Sequence, residues 1–351
     1  MAVKNEKLGG TDWTSADDGF FQDFNDTFDA SNNGLSTEDG IGNLTYSTNS
    51  TITNSYISCE NLTVNSGVTL TLSPGRGGCI VFCSGTFTIN GTVSLDSGGN
   101  NGLDPVSQTG IGNQQGDRGE DGFVTRGGSS GKTDSSQPAQ NSIIKNVFED
   151  DETNVNSPAS LSFLRSHFRG NPTNAIISEL SRANFVGGAG SAGGIRCGSG
   201  ANGTGTTPGA GGGGILIIAK EIVVSGTISS NGDDADSSSF SASGGSVYAG
   251  GSGGGSGGPI ILVSLGEINA AGGTFSSVGG DGCDARNSGF ATGEVDGGSG
   301  GNGGVVCLHY RTMTGTPTYN VGGGGFGSGA LTGSSGSSGS DGTVIEVSYI
   351  S

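Results

Sequence analysis

A chain of 351 residues with 74 glycines and a net charge of −18 has the length of two or three domains but little material for a conventional core. The carboxylate excess repels polyanions, which excludes nucleic-acid binding, and the lack of a strict Gly-x-y period excludes collagen. So much glycine, against a usual share of ~7%, means either flexible linkers or backbones packed too closely for any Cβ. The runs abut apolar blocks at regular positions, which favours close packing.

Residues 1–30 form the first unit, read as a docking or oligomerisation helix. Ser15-Ala16-Asp17-Asp18 has the form of a helix start, a capping hydroxyl followed by carboxylates in the first turn. Phe20, Phe21, Phe24 and Phe28 then make an apolar stripe, with Trp13 just upstream. These five residues are the expected attachment or subunit interface. The opening residues hold no apolar core of signal-peptide length, and no run is long enough to span a membrane.

Two stretches carry a resemblance. Leu8-Gly9-Gly10-Thr11-Asp12-Trp13-Thr14-Ser15, followed by Asp23-Phe24-Asn25-Asp26-Thr27-Phe28, resembles the start of tail-fibre and tail-associated proteins of tailed viruses of bacteria and archaea. It departs where that family usually has Leu and this chain has Phe24. The body, typified by Ile215-Leu216-Ile217-Ile218 leading to Gly226-Thr227-Ile228-Ser229, is similar to glycine-rich viral adhesins and tail-tip proteins. It is also similar to secreted glycine-rich β-solenoid adhesins.

Residues 31–98 are read as the first β coils. Thr51-Ile52-Thr53, Leu62-Thr63-Val64 and Val68-Thr69-Leu70-Thr71-Leu72 alternate with period two, and Asn65-Ser66-Gly67 is a turn. A repeated block then begins, an apolar run followed by Gly-Thr-x-Ser/Thr. Its copies start at Cys79, Ile215, Ile260 and Val305, and their second halves at Gly91, Gly226, Gly273 and Gly315. Repetition of this kind marks a stacked array. Continuous apolar runs such as Ile215–Ile218 predict a sheet buried on both faces.

Residues 99–200 interrupt the array with a long polar loop and a small helical insertion over 141–186. Residues 201–351 are glycine-rich β repeats. The glycine runs form either parts of the coils or extended polyglycine II helices packed side by side. The fold class expected is therefore mainly β: a glycine-rich β-solenoid-like body with an N-terminal helix and a small helical insertion.

No residue set points to catalysis. With no CxxC pair and two histidines, His167 and His309, a zinc site has no ligands to draw on. The six cysteines are either buried small apolar residues or disulfides between coils. Acidic clusters occur at Asp233, Asp234 and Asp236 and at Asp281 and Asp284. They are first solvated loop carboxylates, second calcium ligands, and third paired carboxylates for glycan cleavage.

The resemblance implies a non-enzymatic virion structural protein, a tail fibre or receptor-binding component, found in the virion and extracellular after release. Its partners would be other virion tail proteins and a host surface glycan or surface-layer protein, and its assembly a homotrimer. The alternatives are a cell-surface adhesin or filament subunit and a tailspike-type polysaccharide depolymerase.

Overall fold

The computed structural model describes residues 37–54, 56–73, 78–99, 104–114, 127–131 and 186–348. The expected N-terminal helix, with Trp13, Phe20, Phe21, Phe24 and Phe28, lies outside the described residues. So does all of the expected helical insertion except Val186. The described residues form strands and no helix.

Each repeat supplies a long strand, a turn and a short strand, which together make one rung. The first three rungs are β1 (Thr37–Tyr46) with β2 (Ser50–Ile52), β3 (Tyr56–Val64) with β4 (Thr69–Leu72), and β5 (Gly78–Ile89) with β6 (Thr92–Ser94). Four short strands follow: β7 (Ser107–Thr109), β8 (Gly112–Gln114), β9 (Ile195–Cys197) and β10 (Asn202–Thr204). Rung four is β11 (Gly214–Val224) with β12 (Thr227–Ser229). After β13 (Ser241–Ser243) and β14 (Val247–Ala249) comes rung five, β15 (Ile260–Ser264), β16 (Glu267–Asn269) and β17 (Thr274–Ser276). After β18 (Arg286–Ser288) and β19 (Glu294–Val295) comes rung six, β20 (Val305–Tyr310), β21 (Thr312–Thr314) and β22 (Thr318–Asn320). The short β23 (Ala330–Leu331) precedes β24 (Thr343–Ser348), the last described strand.

The long strands pair in the order β1-β3-β5-β11-β15-β20-β24, and the short ones in the order β2-β4-β6-β12-β17-β22. Every neighbour along these two paths is parallel. Rung three pairs directly with rung four, so the long excursion between them leaves the stack unbroken.

Because the strands are in register, like residues stack in columns. One column runs Ile57, Val81, Ile217, Leu262, Leu308. Another runs Leu62, Phe87, Ile222, Ile268, Met313. These columns, with Leu70, Val93, Ile228 and Phe275 from the short strands, make one core between the sheets. Ile215–Ile218 and Ile260–Val263 are buried at every position, as the unbroken apolar runs predicted.

The long strands bend midway, and the bend absorbs irregular register at Cys59/Leu62 and Ala219/Glu221. At the bend Asn61 donates to Asn43 Oδ1 (2.7 Å) and accepts from the Thr86 amide (2.7 Å), tying three rungs together. The pairing also corrects the fourth repeat. Ile260 pairs with Val306 rather than Val305, and Thr274 pairs with Thr318 rather than with the Thr of Gly315-Thr316. Cys79 and Cys307 are consequently one residue out of step, since Cys79 belongs to the column of Ile215, Ile260 and Val306.

On β24, beyond rung six, the first column reaches a charge: Leu308 pairs with Glu346. The Glu346 carboxylate accepts a hydrogen bond from the Tyr319 hydroxyl, and the Tyr310 hydroxyl lies 3.4 Å from its other oxygen. Burial first, then this carboxylate, pushes both phenols above their usual range.

The glycine runs form a second body beside the rungs. Residues 250–258 are its centre. The amides of Gly250, Gly253 and Ser256 donate to Gly194, Ser191 and Gly188, and those of Gly251, Gly254 and Gly257 to Asp296, Ser299 and Asn302. Gly255 and Gly258 donate to Asp233 and Ser230, and further segments bond to the carbonyls of the same run. Every third residue thus turns to the same neighbour, the periodicity of a polyproline II-type helix with about three residues per turn. Segments 231–236, 279–284 and 322–328 lead away from the rungs and bond to one another. Segments 208–213, 250–258, 296–304 and 333–342 return and do the same, and 127–131 and 186–194 add a third row. A Cβ on Gly255 would overlap the Ala210 carbonyl, and one on Gly253 the Gly128 carbonyl, so glycine is required here by contact rather than by φ.

Candidate binding surface at the loop end

Each outgoing glycine segment reaches a loop, and the loops gather at the end away from the rungs. There β10 lies between β7 and β13, and β14 between β9 and β18, all antiparallel; β8 joins β9, and β19 pairs with β23. Two small cores support them. One is Val106, Ile195, Cys197, Val247 and Ala249 with Phe240 against it. The other is Tyr248, Ala285 and Val295 with Phe290 and Ala330.

An aromatic–cation group sits at the join. The Tyr248 and Phe290 rings are 4.5 Å apart, tilted by 53°. The Arg196 guanidinium lies 5.6 Å from the Tyr248 centroid and 5.8 Å from that of Phe290, and it donates to the Tyr248 hydroxyl at 2.7 Å. Such contacts stiffen a loop surface while leaving its edge wet. The turns themselves show apolar side chains to solvent, Ile111 at 74% and Leu331 at 41% exposure. Leu331 also holds φ at 59°, a left-handed conformation that costs an ordinary side chain ~1–2 kcal/mol. Phe326, at 53% exposure, lies instead on the last outgoing glycine segment.

The carboxylates proposed as calcium ligands have another task. Asp234 accepts from the Asp281 amide (2.7 Å), Asp281 from the Gly325 amide and Asp284 from the Ser328 amide (2.7 Å). Asp233 accepts from the Ser97 hydroxyl, and Asp236 from the amide and hydroxyl of Ser238, which hold its carboxyl below the usual range. Asp296 and Asn302 repeat the pattern on Ser334 and Ser340. Asp234, Asp281, Asp284, Asp296 and Asn302 each reach one layer along and cap an amide that the three-residue period leaves outward. Among the described residues no group of three or more His, Cys, Asp and Glu is placed to hold a metal. Asp281→Ala is expected to cost about 1 kcal/mol of stability and Asp281→Asn less, with calcium leaving both melting curves in place; calorimetry with and without the ion checks this.

The loop-end residues Arg196, Tyr248, Phe290, Ile111 and Leu331 were not singled out by the sequence pattern. The available signal was a lone large side chain between glycines, as in Gly110-Ile111-Gly112. No helix among the described residues is long and apolar enough to cross a membrane. No family model, curated protein or solved structure matches this chain.

Proposed function

We propose that this chain is a receptor-binding component of a virus tail, a β-solenoid mount bearing a polyglycine II bundle whose loops meet the host surface. The observation that carries the reading is the convergence of the described glycine-segment loops on one end, with Ile111 and Leu331 exposed there. A stacked, glycine-locked body leaves only its loops free to vary and to bind. The acidic surface keeps such a body soluble. The partner is a host glycan or surface-layer protein, and residues 1–30 would join the chain to other tail proteins as a homo-oligomer.

The test is sedimentation of the purified chain with isolated bacterial and archaeal envelopes. Binding should fall at least tenfold when Ile111 and Leu331 are both changed to serine, with the melting temperature unchanged. Equal binding by wild type and this variant would refute the loop-end assignment. Fractionation of the native source separates the alternative: recovery with envelopes rather than with virus particles points to a cellular adhesin.

A further inference from the structure

Cys59 on β3 and Cys83 on β5 are direct partners in adjacent rungs. Their sulfur atoms lie 3.4 Å apart, and both side chains are buried, at 5% and 0% exposure. The same column continues through Ala219 and Ser264, so no large side chain wedges the two thiols apart. Adjacent strands sit ~4.8 Å apart, inside the ~4.4–6.8 Å range of Cα separations that a disulfide spans. The pair therefore needs only side-chain rotation to bond.

We propose that Cys59 and Cys83 are a disulfide site that staples the second rung to the third when the chain meets an oxidising medium. The oxidant is a small-molecule disulfide such as oxidised glutathione. One cysteine thiolate attacks it, forming a mixed disulfide and releasing one thiolate. The second cysteine thiolate attacks the cysteine sulfur of that mixed disulfide, forms the Cys59–Cys83 bond and releases the second thiolate. Two protein thiols are oxidised, one small disulfide is reduced to two thiols, and the protons pass from the cysteines to the released thiols.

Burial sets when this happens. The hydrogen bond with Cys59 and then burial raise the Cys83 thiol well above its usual range, so the folded rungs keep it protonated and unreactive. Exchange waits for the rung to open, or takes place while it forms. Once made, the bond closes the 59–83 segment into a loop and removes freedom from the unfolded chain. The chain would be reduced where thiols are kept reduced and stapled after release.

The experiment uses the full chain, refolded in a reduced/oxidised glutathione buffer and mapped by mass spectrometry without reduction. The expected result is one cross-linked peptide pair containing Cys59 and Cys83, and a melting temperature about 5 °C above that of the reduced protein. Cys59→Ser should remove both. The reduced wild type is the reference, so a poorly folding variant does not blur the outcome. Free thiols, separate glutathione adducts, or a bond from either residue to another cysteine would each overturn the proposal.

Discussion

Gly255→Ala is expected to destabilise the chain by about 3 kcal/mol, while Gly322→Ala, in another glycine run, should leave stability unchanged or raise it by about 0.5 kcal/mol. Neither glycine is among those with a left-handed backbone, so alanine suits both conformations. In a flexible run either change would stabilise slightly, by reducing the freedom of the unfolded chain. The difference lies in the surroundings. A Cβ on Gly255 meets the carbonyl and amide of Ala210 and Gly211, backbone atoms that cannot step aside without breaking their own hydrogen bonds, whereas one on Gly322 meets only Asp341 Oδ1 at 3.9 Å. Thermal unfolding of the two variants decides the matter. A drop of about 6 °C or more for Gly255→Ala alone identifies the run as packed, and equal melting temperatures would show that it is not.

The largest single loss is expected at Phe87. It is 1% exposed and sits between Leu62 and Ile222 in the column that ends at Met313. Truncation to alanine removes the ring from between two in-register neighbours that belong to fixed strands and cannot collapse inward. The cost is about 4 kcal/mol, read as a fall of about 10 °C in melting temperature. Phe87→Leu should recover most of it. A loss below about 1 kcal/mol for the alanine variant would mean that the rungs are not a close-packed core.

How far the sequence carried the fold varies by segment. Cys79–Phe82, Ile215–Ile218 and Ile260–Val263 announced strands because burial on both faces demands unbroken apolar runs, and their pairing in register is what the structure shows. The Gly-Thr-x-Ser/Thr motif misaligns the fourth copy because the number of residues between paired positions varies. Ile215 reaches its Thr-x-Ser partner Thr227 in fewer steps than Ile260 reaches Thr274, the extra residues falling at both the bend and the turn. Composition at Gly315-Thr316 could not reveal that slack.

The glycine rows were only half legible. That backbones approach closely was readable from the runs. Which segment bonds to which was not, because a row without side chains carries no periodic signal. The same holds for the loop end: β7, β10 and β13 are three residues each and polar, and they pair only because the glycine segments bring them together. Asp234, Asp281 and Asp284 were legible as parts of clusters but not as amide caps, since their donors lie 44 to 47 residues away.

Glu346 gives the stack a finished edge. A pile of identical parallel layers ordinarily offers its last layer as a template for one more, which is how fibrils lengthen. Here a newcomer settling on that edge would have to strip water from a carboxylate already bonded to a tyrosine, with no positive group in the column to receive it. Among the described layers, Glu346 stands where those from Ile57 to Leu308 hold isoleucine, valine or leucine, so this position opposes further stacking on β24.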